Sequence, residues 1–149
     1  LHLCDRRQRQ MCIRDRAYTA QKIIEQNQYE NIDCNLLIRA CLLHDVGRTA
    51  KDICLMDKVT SVLLGKFLPQ KSKQWANRAE KLKLNKSKSF WQKRRYALYI
   101  YYNHARLGAE KLNELGLNDI AEIIRYHHEK VDCKACGELQ ILCLADSLN

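Results

Sequence analysis

The 149-residue sequence is poor in proline and glycine, with one proline and five glycines. Turn-rich β-sandwiches need many such residues, so this scarcity argues against that architecture. Long apolar runs are also missing, because charged residues interrupt both LLIRACLL and VTSVLLGKFL within about ten positions. These absences exclude a membrane-spanning helix, no membrane partner is expected, and no secretory signal is visible. The length is typical of one globular domain.

Leucine, isoleucine, alanine, lysine and glutamate dominate the composition, and apolar residues recur at helical spacing. This pattern predicts an all-α domain. The predicted helices run from Ala17 onward, from Cys34 to His44, from Lys51 to Phe67, from a cap at Asn103 to Gly116, from a cap at Asn118 or Asp119, and from Cys136 to Asn149. Six of the eleven aromatic residues fall within FWQKRRYALYIYYN, where we expect them to line a core or a groove.

The net charge of +9 is unevenly distributed. Residues 66–95 contain eleven lysines and arginines against one acid, and residues 1–16 carry a net charge of +3, which leaves −4 for the remainder. The 66–95 segment has three possible uses: binding nucleic acid, steering an anionic phosphoester, or forming a solvated lysine-rich loop. No RRM, KH or zinc-finger signature accompanies it, so nucleic acid is not the favoured partner.

Eight cysteines are present, and four of them occupy apolar-face positions: Cys34, Cys41, Cys54 and Cys143. Free cysteine behaves there as a small hydrophobic residue, which indicates a reducing, cytoplasmic compartment. The chain starts without methionine and stops inside a helical pattern, so we expect a domain that is incomplete at both ends. Residues 1–16 have no hydrophobic period and resemble a translated sequencing adaptor. The alternative is a disordered basic arm, and neither interpretation gives this segment a role in chemistry.

Four of the five histidines lie at or beside predicted helix ends and face the apolar sides of their helices: His44, His104, His127 and His128. Asp45 follows the first of them, and Asp146 ends an apolar face. A buried carboxylate needs a cation beside it. Imidazoles and carboxylates that converge in a helical core are typical of a divalent metal site.

The string ACLLHDVGR resembles the signature of the HD superfamily of metal-dependent phosphohydrolases. Three later segments resemble the family's other elements in the family's order: NHARLGAEKLNELG, IAEIIRYHHEK and ILCLADSLN. The resemblance covers residues 17–149, with 66–95 as a basic insertion. It implies an all-α helical bundle with a metal site in its core.

The resemblance also implies roles for individual residues. His44, Asp45 and Asp146 would hold one metal ion, and Asp45 would bridge to a second ion held by His104 with His127, His128 or both. Arg48 would bind a phosphate oxygen, and Lys51 is a second candidate for this role. One or two divalent ions are implied, and Mn, Fe, Mg, Ni, Co and Zn are not distinguished. The metals would polarise the phosphoryl group and lower the pKa of a bound water for in-line attack on phosphorus.

Plainer alternatives exist for the same residues. His44 could be a hydrogen-bonded histidine at a helix C-terminus, the other histidines could lie on the surface or be satisfied core residues, and Asp146 could be an N-cap or an ion-pair partner. Arg48 and Lys51 could be solvated.

One departure from the family pattern concerns its first histidine ligand, which lies about four residues before an alanine of the first helix. Arg16 stands in that place, four residues before Ala20, and arginine cannot bind a metal. No GYP-containing extension follows HHEK, so cyclic-di-GMP phosphodiesterase activity is not expected. We predict a divalent-metal-dependent phosphohydrolase acting on a nucleotide or other small phosphoester. The alternative is a non-catalytic basic nucleic-acid-binding module on a degenerate HD scaffold. Nothing in the sequence indicates an oligomeric state.

Overall fold

A computed structural model describes residues 2–27, 29, 31–48, 54–84, 88–129 and 136–148. Across these residues the chain forms seven α-helices and no strand, which confirms the all-α prediction. The helices are α1 (His2–Asn27), α2 (Cys34–Leu43), α3 (Leu55–Phe67), α4 (Pro69–Asn77), α5 (Phe90–Glu114), α6 (Asn118–Tyr126) and α7 (Gly137–Ser147). Two 3₁₀ segments lie at Val46–Arg48 and Glu80–Leu84.

Local chemistry explains where several helices begin. The Asp33 side chain accepts a hydrogen bond from the backbone N–H of Leu36 at 3.0 Å, which caps α2. Pro69 occupies the first turn of α4, where its missing N–H costs nothing. At the start of α5, Ser89 and Gln92 form a capping box in which each side chain bonds the other residue's backbone.

The long helix α5 differs from the prediction of a cap at Asn103. It runs unbroken for 25 residues, and Asn103 lies inside it, with its side-chain amide donating to the Tyr99 carbonyl at 2.9 Å. An asparagine can satisfy its amide against the preceding turn, so its presence does not require a helix start. His104 therefore lies within a helix rather than at a helix end.

The end of α5 follows a common C-terminal pattern. Gly116 has a φ of 75°, and the Leu117 N–H donates to the Leu112 carbonyl at 2.9 Å. Glycine adopts this left-handed conformation without the penalty that a side chain brings. The next helix begins at Asn118 with Leu117 as its N-cap, so the predicted cap at Asn118 or Asp119 is wrong.

Two other helices start at unexpected positions. The first helix begins at His2, although the apolar pattern starts only at Ala17. Arginine and glutamine favour helices, so a polar segment can extend a packed helix without an apolar face of its own. Helix α3 begins at Leu55, and the candidate Lys51 lies outside the described residues.

The main core joins α1, α2, α6 and α7 to the C-terminal half of α5. Its fully or nearly fully buried members include Ala20, Leu37, Ala40, Cys41, Leu112, Ile120, Ile124, Ile141, Leu142 and Ala145. Cys41 and the half-buried Cys143 lie in or beside this core as expected, but Cys34 and Cys54 are exposed. Both exposed cysteines stand at helix N-termini, Cys34 as the first residue of α2 and Cys54 as the N-cap of α3.

A smaller core contains Ala79, Tyr99, Ile100 and Leu107. The aromatic cluster of α5 is therefore divided. Tyr99 is buried, whereas Phe90 and Trp91 in the first turn are 60% and 71% exposed. The expectation that these aromatics line a core or groove is wrong for this first turn.

Candidate metal centre

Two glycines bring the segment after α2 against α5. A Cβ atom at Gly47 would lie 1.9 Å from the carbonyl oxygen of His104 and 2.7 Å from the backbone nitrogen of Gly108. Backbone atoms cannot move aside as a flexible side chain can, so this approach requires glycine at position 47. The close contact sets His44 and Asp45 beside His104. Both glycines stand within segments that resemble the HD superfamily, Gly47 in ACLLHDVGR and Gly108 in NHARLGAEKLNELG, but no local pattern predicts that they would meet.

The side chains of the four candidate histidines meet at this point. The Nε2 atoms of His104 and His128 are 2.7 Å apart, and ligand atoms of His104, His127 and His128 all lie within 4.8 Å of one another. The ring of His44 lies 5.8 Å from that of His127, centroid to centroid. His44, His104 and His127 are buried, whereas His128 is exposed at the edge of the group.

The two aspartates join the same group. Asp45 Oδ1 is 3.7 Å from His104 Nε2, and Asp45 Oδ2 is 3.6 Å from His44 Nε2. Asp146 Oδ1 is 3.7 Å from His44 Nε2. The six predicted metal ligands therefore lie together, drawn from α5, α7 and the segments that follow α2 and α6.

Three of the histidines are oriented by the same backbone contact. In each, Nδ1 lies within hydrogen-bond distance of the carbonyl three residues earlier: His44 with Cys41 at 2.7 Å, His104 with Tyr101 at 2.8 Å and His127 with Ile124 at 2.5 Å. A carbonyl oxygen can only accept, so Nδ1 carries the hydrogen and the lone pair of the neutral ring is on Nε2. Metal-binding histidines are commonly oriented by a bond of this kind.

Burial keeps these imidazoles neutral. Burial, followed by the positive charge of Arg48, lowers the pKa of His104 to about 3. Burial and the neighbouring His128 lower the pKa of His127 to about 4. The pKa of His128 is also lowered, again mainly by burial. Near neutral pH all three rings are in the uncharged form that binds metals.

Several buried atoms with lone pairs have no hydrogen-bond partner. His44 Nε2 and His127 Nε2 are inaccessible to solvent and make no hydrogen bond, and the buried Asp45 Oδ1 lies 3.1 Å from Arg48 Nε without hydrogen-bond geometry. Leaving a buried acceptor unpaired costs about 1–3 kcal/mol, and native proteins rarely tolerate several together. A cation bound beside either imidazole nitrogen would satisfy it. The part of the site formed by His104, His127, His128 and Asp45 therefore fits a divalent ion.

The part of the site formed by His44 and Asp146 already contains a positive charge, that of Arg16. Arg16 Nε lies 2.6 Å from Asp146 Oδ1. Burial raises the pKa of Asp146, but the charge and the hydrogen bond of Arg16, together with the influence of His44 and His128, outweigh this effect and leave the pKa below its usual value. A guanidinium has no lone pair for a metal, so this side does not fit an ion while Arg16 is there. The family pattern expects the first histidine ligand at the position of Arg16, and the structure places Arg16 in contact with Asp146 of the site.

Arg48 lies at the exposed edge of the cluster. Its Nη2 is 3.1 Å from His104 Nε2, its Nε is 3.1 Å from Asp45 Oδ1, and its side chain is 41% exposed. A guanidinium in this position can reach a ligand that enters from solvent. The second phosphate-binding candidate, Lys51, falls among the residues that are not described.

A family model for the HD domain matches residues 16–149, which includes Arg16 and every predicted ligand. The chain belongs to the HD domain family. Members of this family are generally metal-dependent hydrolases. No curated protein and no solved structure matches the chain.

Proposed function

We propose that this HD-domain chain is a divalent-metal-dependent phosphohydrolase acting on a nucleotide or another small phosphoester. The observation that carries the proposal is the group of His104, His127 and His128, whose ligand atoms lie within 4.8 Å of one another, with the buried His127 Nε2 making no hydrogen bond. A buried acceptor is costly unless a cation is part of the working site. A purely structural cluster would pair this atom with a donor.

His104, His127 and His128 would hold the ion through Nε2, together with a carboxylate oxygen of Asp45. Three imidazoles and one carboxylate suit Mn, Fe, Co, Ni or Zn better than Mg, which prefers oxygen ligands. A bound divalent ion supplies a Lewis acid that polarises a phosphoryl oxygen and acidifies a water molecule. While Arg16 pairs with Asp146, we expect one ion per chain.

Arg48 would bind and orient the phosphoryl group. Its guanidinium must leave His104 Nε2 to free that lone pair, and its partly exposed position allows this movement. Two oxygens of a phosphate offer the bidentate geometry that arginine prefers. Asp45 would stay in place as a ligand of the ion. Arg48 would then exchange the Asp45 carboxylate for the phosphate as its anionic partner.

Hydrolysis of bis(p-nitrophenyl) phosphate and of a nucleotide panel tests the proposal, using Mn²⁺-loaded protein. We expect turnover that Arg48→Gln reduces by about tenfold or more, since an arginine contact to a phosphate in the transition state contributes on this scale. Arg106→Gln is the matched control, because Arg106 is 45% exposed and also pairs with carboxylates, those of Glu80 and Glu110. This control should leave turnover unchanged.

Failure would take a definite form. If the Mn²⁺-loaded protein hydrolyses none of these compounds, or if it hydrolyses them and His127→Ala changes neither metal content nor turnover, the enzyme proposal is wrong. Salt-dependent binding of single-stranded RNA in the same preparation would then favour the alternative of a nucleic-acid-binding module on a degenerate HD scaffold.

A further inference from the structure

Helix α3 presents its apolar side to solvent. Five large apolar side chains on this helix are between 44% and 73% exposed: Met56, Val59, Val62, Leu63 and Phe67. Their spacing places them on one broad face of the helix. We call this set the α3 apolar face. A surface helix normally turns such a face towards the core, so its exposure indicates an interaction surface.

The opposite side of α3 packs against α5, and its buried residues are small or polar. Asp57 and Ser61 are 5% and 3% exposed. Gly65 lies so close to α5 that a Cβ there would be 2.7 Å from the ring of Tyr101. Arg94 at the start of α5 lies 3.9 Å from Asp57. These contacts hold α3 on α5 in one orientation, so the apolar face cannot turn inward without breaking them.

Exposed basic and aromatic residues follow in the chain, in the last turn of α3 and on α4 and α5, the two helices that pack against α3. Lys66 is exposed in the last turn of α3, and α4 exposes Lys71, Lys73 and Trp75. Like α3, α4 buries small residues, with Ser72 and Ala76 almost fully inaccessible. The first turns of α5 expose further residues of the same two kinds: Phe90, Trp91, Lys93 and Arg95.

The charge and the side-chain chemistry of this surface together indicate what binds to it. A second copy of the chain would bring two segments of +10 close to each other, which is unfavourable. Nucleic acid would pair with the lysines and could stack on Trp75, Phe90 and Trp91, but it would leave the aliphatic side chains of α3 exposed, because these neither stack on bases nor bond to them. A lipid bilayer with anionic headgroups satisfies both features, since its acyl region accepts the apolar side chains and its phosphates attract the lysines.

We propose that the α3 apolar face, with the basic residues beside it, binds the surface of a bilayer that contains anionic lipids. None of the described helices is long and apolar enough to cross a membrane. The 13 residues of α3 are also fewer than the roughly 20 that a span requires, so the helix lies in the interface. The sequence-based expectation of no membrane partner rested on the lack of a spanning run, which a surface contact does not need.

Co-sedimentation of the whole chain with vesicles tests this proposal. We expect the chain to bind phosphatidylcholine vesicles that contain about 30% phosphatidylglycerol. Binding should be weaker to vesicles of pure phosphatidylcholine and at high salt. Leu63→Gln combined with Phe67→Gln should reduce the partition coefficient by about tenfold or more, because two exposed apolar side chains that would insert into the bilayer are replaced. Leu115→Gln is the matched control: Leu115 is 72% exposed, close to the 73% of Phe67, but lies at the far end of α5. It should bind as the parent does.

Three results would overturn the proposal. The first is no sedimentation with the anionic vesicles. The second is sedimentation that the Leu63 and Phe67 changes leave intact. The third is a dimer in solution that these changes dissociate, which would assign the face to a second copy. Circular dichroism checks that the variants fold, and all of the replaced side chains are exposed, so the fold should persist. Metal content, which the site on the other half of α5 determines, should not change.

Discussion

The buried histidines predict that the metal-free protein loses stability in mild acid. His104 and His127 are 3% and 4% exposed, and their pKa values are about 3 and about 4 in the folded chain against 6.5 in the unfolded one. Between pH 6.5 and about 4 the unfolded chain therefore binds protons that the folded chain does not. Stability must rise with pH across this window and fall as the pH is lowered through it.

The size of the effect follows from the two shifts. Well below pH 6.5 each histidine contributes about 1.4 kcal/mol per pH unit, so the pair gives a slope of about 3 kcal/mol per unit. The slope is half of this at pH 6.5 itself, so from pH 6.5 to 4.5 the free energy of unfolding should fall by roughly 4 to 5 kcal/mol, comparable to the whole stability of a small domain. His128 adds to the effect in the same direction. The lowered pKa of Asp146 acts only below 3.8, outside this window.

Urea unfolding at a series of pH values, with a chelator present, measures the slope. His127→Gln removes one titrating group and should reduce the slope by about half, to roughly 1.4 kcal/mol per pH unit. A stability that stays flat from pH 7 to 5, or a variant with the parent slope, would refute the reasoning. Saturating Mn²⁺ should raise stability most where the histidines are neutral, above pH 6.5.

Three further predictions concern single residues. Arg16→His should raise the number of Mn²⁺ ions bound per chain from one to two in equilibrium dialysis, while Arg16→Gln should leave it at one, because only histidine supplies a ligand beside Asp146. Gly47→Ala should destabilise the domain by about 3 kcal/mol or more in urea unfolding and weaken metal binding, since a Cβ would meet the backbone at 1.9 Å; unchanged stability would contradict the packing. Cys41, fully buried with its pKa raised to about 12 mainly by burial, should resist thiol reagents in the native state, while Cys34, Cys54 and Cys136 react.

The candidate site could be predicted from sequence because its residues stand in local motifs. Each histidine lies beside apolar residues at helical spacing, and the order of four motifs predicted that they would meet. Distances such as that from Arg16 to Asp146, 130 positions apart, could not be predicted, because they depend on how α1 packs against α7.

Helix boundaries and orientations were less predictable. Asn103 has the side chain of a good cap but bonds within α5, since the same amide can serve either purpose. Periodicity identified the apolar residues of α3, but not that this face points outward. The burial of Asp57 and Ser61 depends on contacts with α5 that no local pattern records.

The proposed function depends on the binding of a divalent ion by the histidine and aspartate cluster. Isothermal titration of Mn²⁺ into the metal-stripped chain tests it most directly, with His104→Ala and Asn103→Ala measured alongside. We predict one ion bound per parent chain, no binding by His104→Ala, and parental binding by Asn103→Ala, whose side chain bonds only its own helix. The absence of Mn²⁺ binding by the parent, or equal binding by His104→Ala, would contradict the account.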